Sequence, residues 1–469
     1  MIGQRGRLGR SLQAPLPPVR GHRLHPNVAG GIMAMMLPYA GWVTAQAWKG
    51  VRQASRRQKP EAAAVLLAAL AVLAATSLGL LLSASRGAWV ALAVAALLAD
   101  VWTLSNWLSR GDAARRSWVL PALLVGLLGV ALLAELVLPG GMVGTLEGFS
   151  SRNSGFSREE LLCRTLRLVC DYPIIGAGLG GFRAMFSAYV LLVSGGPVVH
   201  SHNVFLDVAV EQGLPALLLL FWMWVLFAMA LWRSVSGVDR QPCSGALAAG
   251  ALSLVVVVVH GLVDDAVYGS RGVLLLFVPL AFAVPFLAPR RRALARPLAL
   301  ALPLGLVVLV GLALVWRGPV LSRLYSNLGA VHQSRMELRT YQWPEHPVQD
   351  AVRREVDLGR PVADFERALA LDPGNPSANR RLGQIELSLG EYEDALAHLQ
   401  AAHMTEPGSG TTRQLLGEAL VANGRLAEGA ALWATVRNSE GQLRKRVFWY
   451  RHIGDAQRAV WMEQAASGR

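Results

Sequence analysis

Long apolar runs separated by short basic segments dominate the first two thirds of the chain. Eight runs stand out, at roughly 27–48, 62–82, 87–107, 118–138, 204–232, 244–263, 272–288 and 297–316. Each is long enough to cross about 30 Å of hydrocarbon as a helix, and the charges fall between them. The pattern predicts an all-α, polytopic membrane bundle of about eight transmembrane helices. The fifth run is longer than a span requires, so its first turns are expected to project from the membrane.

After Trp316 the apolar character collapses and a helical repeat replaces it. From Asn379 the chain carries Leu382, Gly383, Gly390, Tyr392, Ala395, Leu399, Ala402 and Pro407 at offsets that match the 34-residue tetratricopeptide pattern. A shift of 34 residues forward gives Leu416, Gly417, Gly424, Leu426 and Trp433; a shift back gives Phe365, Ala368 and Pro373. Arg444–Ala466 reads as a capping helix. The expected organisation is a basic N-terminal segment at 1–26, a membrane domain at 27–316 with a long loop at 139–203, and an α-solenoid at 342–469.

The charges orient this arrangement. Lys49, Arg52, Arg56, Arg57 and Lys59 follow the first run, Arg110, Arg115 and Arg116 the third, Arg233 and Arg240 the fifth, and Arg290, Arg291, Arg292 and Arg296 the seventh. Alternating spans put all four clusters on one side, and positive loops stay cytoplasmic. The 139–203 loop and everything after 316 then face outward. Arg5, Arg7, Arg10, Arg20 and Arg23 resist this scheme, because alternation places them outside as well. No apolar segment follows them before Pro26, so they do not form a signal peptide; a leader, a displaced start, or helices missing ahead of them would account for the conflict.

Composition agrees with a membrane protein. Of 469 residues, 53% are hydrophobic and 16% charged, against about 25% charged in soluble chains. The net charge of +14 belongs to loops facing anionic lipid, and no interleaving of aromatic and basic residues points to a nucleic-acid partner. Cys163 and Cys170 would lie two turns apart on a helix, roughly 10 Å, too far for a disulfide.

Candidate chemistry collects in the long loop and at the mouths of the spans. The loop holds Arg158, Glu159, Glu160, Arg164, Arg167, Asp171, Arg183, His200, His202 and Asn203, and a connection of that length is more often functional than a plain link. Residues 158–172 show helical apolar spacing and are expected to lie along the membrane surface. Gly176-Ala177-Gly178-Leu179-Gly180-Gly181 follows no strand, so it reads as a tight turn where backbone approaches neighbouring helices and not as a nucleotide loop. No zinc-type spacing of His, Cys, Asp and Glu is present. His202 sits where the chain re-enters the membrane and could accept a proton near neutral pH. Arg86, in the short Ser83–Trp89 turn, either anchors at headgroups or binds an anion, with Asp264 and Asp265 as its candidate protein partners.

Together, these motifs resemble the O-antigen ligase/polymerase superfamily. They are, in order, Ser85-Arg86-Gly87-Ala88, Ser157-Arg158, Asp171-Tyr172-Pro173 with Gly176, Gly178 and Gly180, and His202-Asn203 followed by Gly213. His25-Pro26-Asn27 and the His260–Asp264 pair fit too. Leu162 stands in place of the family's usual tryptophan, Ser157 in place of glycine, and Ala216 where glycine, threonine or tyrosine is common; the family also has more helices at its front. The resemblance implies a cofactor- and metal-independent transfer of a polyprenyl-diphosphate-linked glycan onto a glycan or lipid-linked acceptor, on the outer face of the cytoplasmic membrane. It implies catalytic roles for His202, Arg86 and Arg158, and substrate binding by Asn203, Arg164 and Asp264. A polymerase of the same superfamily and a non-catalytic scaffold with a truncated core are the alternatives. The repeats imply a protein partner or a spacer.

Overall fold

The computed structural model describes residues 26–109, 158–192, 198–235, 245–264, 268, 273–281, 317–436 and 440–467. The expected spans at 118–138 and 297–316, nearly all of the basic N-terminal segment, and Asp265 lie outside the described residues. Within them the chain is helical throughout, without strands. It divides into two compact units: one built from residues up to Arg158 with 201–207 and 218–290, the other from 159–200, 208–217 and 291–469.

The first unit contains α1 (Pro26–Gln53), α2 (Lys59–Ser83), α3 (Arg86–Leu108), most of α6 (Val204–Val235) and α7 (Gly245–Gly261). Among the described residues, four helices are long and apolar enough to cross a membrane: Pro26–Gln53, Lys59–Ser83, Arg86–Ser105 and Val204–Leu231. Helix α7 is apolar but shorter, and from the seventh run a 3₁₀ turn at Val273–Phe277 leads into α8 (Val278–Ala281). α1 packs along α2, and α7 crosses both α1 and α3. Large apolar side chains on α2 point outward, Leu67 with 67% of its surface exposed. That pattern suits a helix whose solvent is lipid.

The second unit joins the long loop to the repeats. The loop supplies α4 (Arg158–Asp171) and α5 (Phe182–Met185), which continues as a π-helix over Phe186–Leu191. The solenoid supplies α9 (Arg317–Thr340), α10 (Gln349–Glu355), α11 (Gly359–Leu371), α12 (Pro376–Leu389), α13 (Tyr392–Thr405), α14 (Gly410–Ala422), α15 (Leu426–Ala434), α16 (Glu440–His452) and α17 (Ala456–Ser467). Stacking therefore begins upstream of 342, because α9 pairs with α11 as α12 pairs with α13 and α14 with α15.

Repeat chemistry explains the hairpins. Asn375 and Ser409 cap α12 and α14 by accepting the Ala378 and Thr412 N–H groups. Gly390 and Gly424, 34 residues apart, both end helices with left-handed φ of 94° and 80°. Gly417 lies so close to Trp433 that a Cβ would sit 2.2 Å from the indole nitrogen. The expected single capping helix is a pair, α16 and α17, because Gly454 turns the chain at φ 78° and Asp455 receives the Arg458 N–H at 3.0 Å.

α4 forms where its spacing predicts; of the apolar positions Leu161, Leu162, Leu166 and Val169 that define the spacing, Leu161 and Val169 are buried in protein, Leu162 is half-buried and Leu166 is exposed. Loop residues hydrogen-bond repeat helices directly, Tyr172 with Ser334 and Val190 with Thr411 among them. The loop and the repeats thus pack together within one unit.

Candidate functional site

Four chain segments of the first unit meet at the helix ends that carry the expected residues. Gly30 of α1 sits against the Ser83–Ser85 turn, where a Cβ would come within 2.5 Å of the Ser85 Cβ. Ala84 makes that turn in the left-handed region at φ 51°, and Ser85 then caps α3 by accepting the Ala88 N–H at 3.4 Å. Gly87 brings the start of α3 against the end of α7: a Cβ there would lie 2.8 Å from Val263 and 3.6 Å from the His260 ring. Arg86 is exposed at this helix N-terminus, where unpaired N–H groups and the macrodipole favour an anion.

His202 comes from the segment that opens α6. Its backbone is left-handed, at φ 57°, an uncommon state for a side chain other than glycine and one that costs about 1–3 kcal/mol. The flanking residues hold it there. Ser201 donates its N–H to Asp207 Oδ1 at 2.9 Å, and its hydroxyl bridges the Asn203 N–H and carbonyl. Asn203 Oδ1 accepts the Phe205 and Leu206 N–H groups, both at 3.1 Å, while its amide reaches the Leu262 carbonyl at 3.4 Å. Asn203 is therefore the N-cap of α6 and ties that helix to the end of α7.

Asp264 is the centre of the cluster. It is buried, its Oδ1 lies 3.6 Å from His202 Nδ1, and its Oδ2 accepts the Asn27 amide. His260, 3% exposed, has no hydrogen-bond partner for Nε2 among the described residues, and that nitrogen faces the Arg86-Gly87 turn. The structure thus gathers Arg86, His202, Asn203 and Asp264 of the expected site residues, together with Asn27 and His260, which stood in motifs of the resemblance without an assigned role. Asn27 had a legible signal, a polar amide at the very start of an apolar run.

Arg158 opens α4, but its side chain lies outside the described residues. Arg164 belongs to the second unit, where it pairs with Glu160 at 2.7 Å one turn earlier on α4.

The glycine turn is an interlock. Gly213 breaks α6 with φ 84° and ψ 167°, and Pro215 follows it without an N–H. The Leu214 N–H goes to the Pro173 carbonyl at 2.8 Å, which leaves the Val210 and Glu211 carbonyls without their helical donors. Ala177 and Gly178 donate to those two oxygens at 2.7 and 2.9 Å. Each partner needs the other to lack a side chain: a Cβ on Gly176 would meet the Glu211 oxygen at 2.4 Å, and one on Gly213 the Ile174 oxygen at 2.3 Å.

Residues 68–221 match the family model for O-antigen ligase. This segment is O-antigen ligase-like. It contains the Ser85-Arg86 turn, Arg158, the glycine interlock and His202, while Asn27, His260 and Asp264 fall outside it. Residues 386–444 match the tetratricopeptide repeat. No curated protein and no solved structure matches the chain. The O-antigen ligase match supports a membrane glycan transferase of the ligase or polymerase type, acting on lipid-linked glycans, with a repeat region of the kind that binds protein.

Proposed function

We propose that this chain transfers a polyprenyl-diphosphate-linked oligo- or polysaccharide to an acceptor hydroxyl on the outer face of the cytoplasmic membrane. The observation that carries this reading is the His202–Asp264–Asn27 chain beside the Arg86 helix terminus, with His202 and Arg86 inside the segment that matches O-antigen ligase. Asp264, held by Asn27, orients the imidazole through Nδ1, so Nε2 is the atom assigned to the acceptor's proton. As the hydroxyl oxygen bonds to the anomeric carbon, the bond from that carbon to the diphosphate breaks. The leaving polyprenyl diphosphate keeps the electron pair, and Arg86 with the α3 N-terminus offsets the charge that develops on it. Arg158 is assigned to the same diphosphate, and Arg164 to the glycan. Asn203 positions His202 by capping α6. The repeats are placed on the outer side with the loop.

The test is transfer in membranes from a host that lacks its own enzyme. The parent should transfer, and Arg86→Ala and His202→Ala should each lose about 100-fold or more with insertion unchanged. Full transfer by His202→Ala would remove the histidine from the mechanism. A parent that inserts but does not transfer would favour the scaffold reading. The product separates the two transferase types: a glycan on a new acceptor marks a ligase, a lengthened lipid-linked glycan a polymerase.

A further inference from the structure

In an open tetratricopeptide stack, the first helix of each pair lines the concave face and is wet along it. Here those helices are enclosed. Every residue of α12 from Ser377 to Ser388 is buried, and so is α14 from Thr411 to Ala422 apart from Arg413. Their hairpin partners are not: α13 buries only Ala395, Leu399 and Ala402. Something covers the concave face, and the contacts identify it as the loop segment Asp171–Leu192.

The segment meets the first helices one after another. At its start Asp171, 2% exposed, accepts from Arg380, from Arg381 at 3.0 Å, and from the Ser377 hydroxyl on α12. Burial alone would raise the Asp171 pKa, yet the two guanidinium groups hold it below the usual carboxylate range. Arg381 also lies over the Tyr189 ring, 3.6 Å from its centroid, and donates to the Tyr172 hydroxyl at 3.1 Å. The Tyr189 hydroxyl donates to Glu337 of α9 at 3.1 Å. The π-helix stops at Leu192, whose φ is 54°, so its last carbonyls have no helical donors. Thr411 of α14 donates to the Val190 carbonyl at 2.8 Å, and Gln442 of α16 to the Leu191 carbonyl at 3.1 Å. The segment is read by rings, a charge pair and terminal carbonyls, the contacts by which a groove recognises a peptide.

We infer that the concave groove of the repeat stack is a receptor for the chain's own segment Asp171–Leu192, an internal clamp on the external loop that is closed to outside peptides. A protein partner would have to use the outer surface of the stack. Tethering raises the effective concentration of the segment far above that of a free competitor. The inference does not depend on glycan transfer, and its test needs no glycan.

The test uses the purified full chain with Cys163, Cys170 and Cys243 replaced by serine. Ala188→Cys is the reporter: Ala188 is 8% exposed and borders a cavity of about 30 Å³ between the segment and the stack, which leaves room for a sulfur. Leu179→Cys, at a position 74% exposed, is the open reference. With a maleimide, Ala188→Cys should react at least tenfold more slowly than the reference. Arg381→Ala should raise its rate at least tenfold, and Arg413→Ala, which touches Thr435, should not. Should Arg381→Ala unfold the stack, Thr411→Val with Gln442→Leu removes only the two carbonyl contacts and should raise labelling several-fold at unchanged helicity. Labelling of Ala188→Cys as fast as the reference would overturn the clamp. So would protection that survives both sets of substitutions in folded protein.

Discussion

In the first unit the ionisable side chains of the site stand at helix ends, whereas in the second several are interior and paired with one another. Arg86 is exposed, His202 stands 3.6 Å from Asp264, and His260 Nε2 meets no partner among the described residues. In the repeats, Asp350 takes two bonds from Arg446 at 2.8 and 2.9 Å and one from Ser388, and Arg353 grips Glu337 at 2.8 and 3.1 Å. Burial opposes the Asp350 charge, but Arg446 overcomes it and holds that carboxyl far below its ordinary range. A buried charge whose valences are filled has nothing left for a substrate and acts as a structural pin. One that stands at a helix end, within reach of a substrate, can still exchange a proton, and chemistry is to be sought there.

The contrast is sharpest where the two kinds of residue are deleted. His202→Ala should cut transfer by about 10²–10⁴-fold and leave thermal unfolding of the solubilised chain as in the parent; a large fall in melting temperature would move the residue into the structural class. Asp171→Ala should do the reverse, costing about 3–5 kcal/mol because Arg380 and Arg381 are left buried and uncompensated. Denaturant unfolding followed by helicity measures it, and a change below about 1 kcal/mol would show that the pair is not a pin. Gly213→Ala comes next at about 1–3 kcal/mol, since its φ of 84° and the Ile174 oxygen both exclude a side chain; Gly441→Ala, with open space around it, should be neutral or stabilising by up to about 1 kcal/mol.

The pH dependence is smaller and runs both ways. Asp171 and Asp350 have lowered pKa values, so their stabilisation is present above about pH 4 and is lost as pH falls through their folded values. His398 is raised, chiefly by its hydrogen bond to Glu386. Its contribution is full below about pH 6.5 and is lost as pH rises through the folded value. The melting-temperature gap between the parent and His398→Asn should therefore narrow from pH 6 to pH 9; a gap that widens would refute the pairing.

Much of the fold was legible because it is written in local periods. Apolar runs gave α1, α2, α3, α6 and α7, and the 34-residue register placed Gly383, Gly390, Gly417 and Gly424 at helix crossings and ends. The ordered motifs brought out Arg86, His202 and Asp264. The clamp was not legible, since Asp171 and Arg381 are 210 residues apart and no period links them. Asp171-Tyr172-Pro173 read as a family signature without revealing what it touches. Asn203 read as a substrate ligand, yet its amide oxygen is taken by two backbone N–H groups, a capping role that depends on where α6 begins. The Gly213 break was masked by the apolar run around it, although Pro215 marks the place.

The distance along the chain between Asp171 and Arg380 also sets a schedule for biogenesis. With the two 209 positions apart and synthesis at about 5–20 residues per second, the loop waits roughly 10–40 s for the arginines it needs. Throughout that interval the aspartate stays solvated and the segment up to Leu192 has no groove to enter. Docking of the loop consequently has to follow synthesis of α12, and a ribosome stalled before α12 would leave the loop undocked.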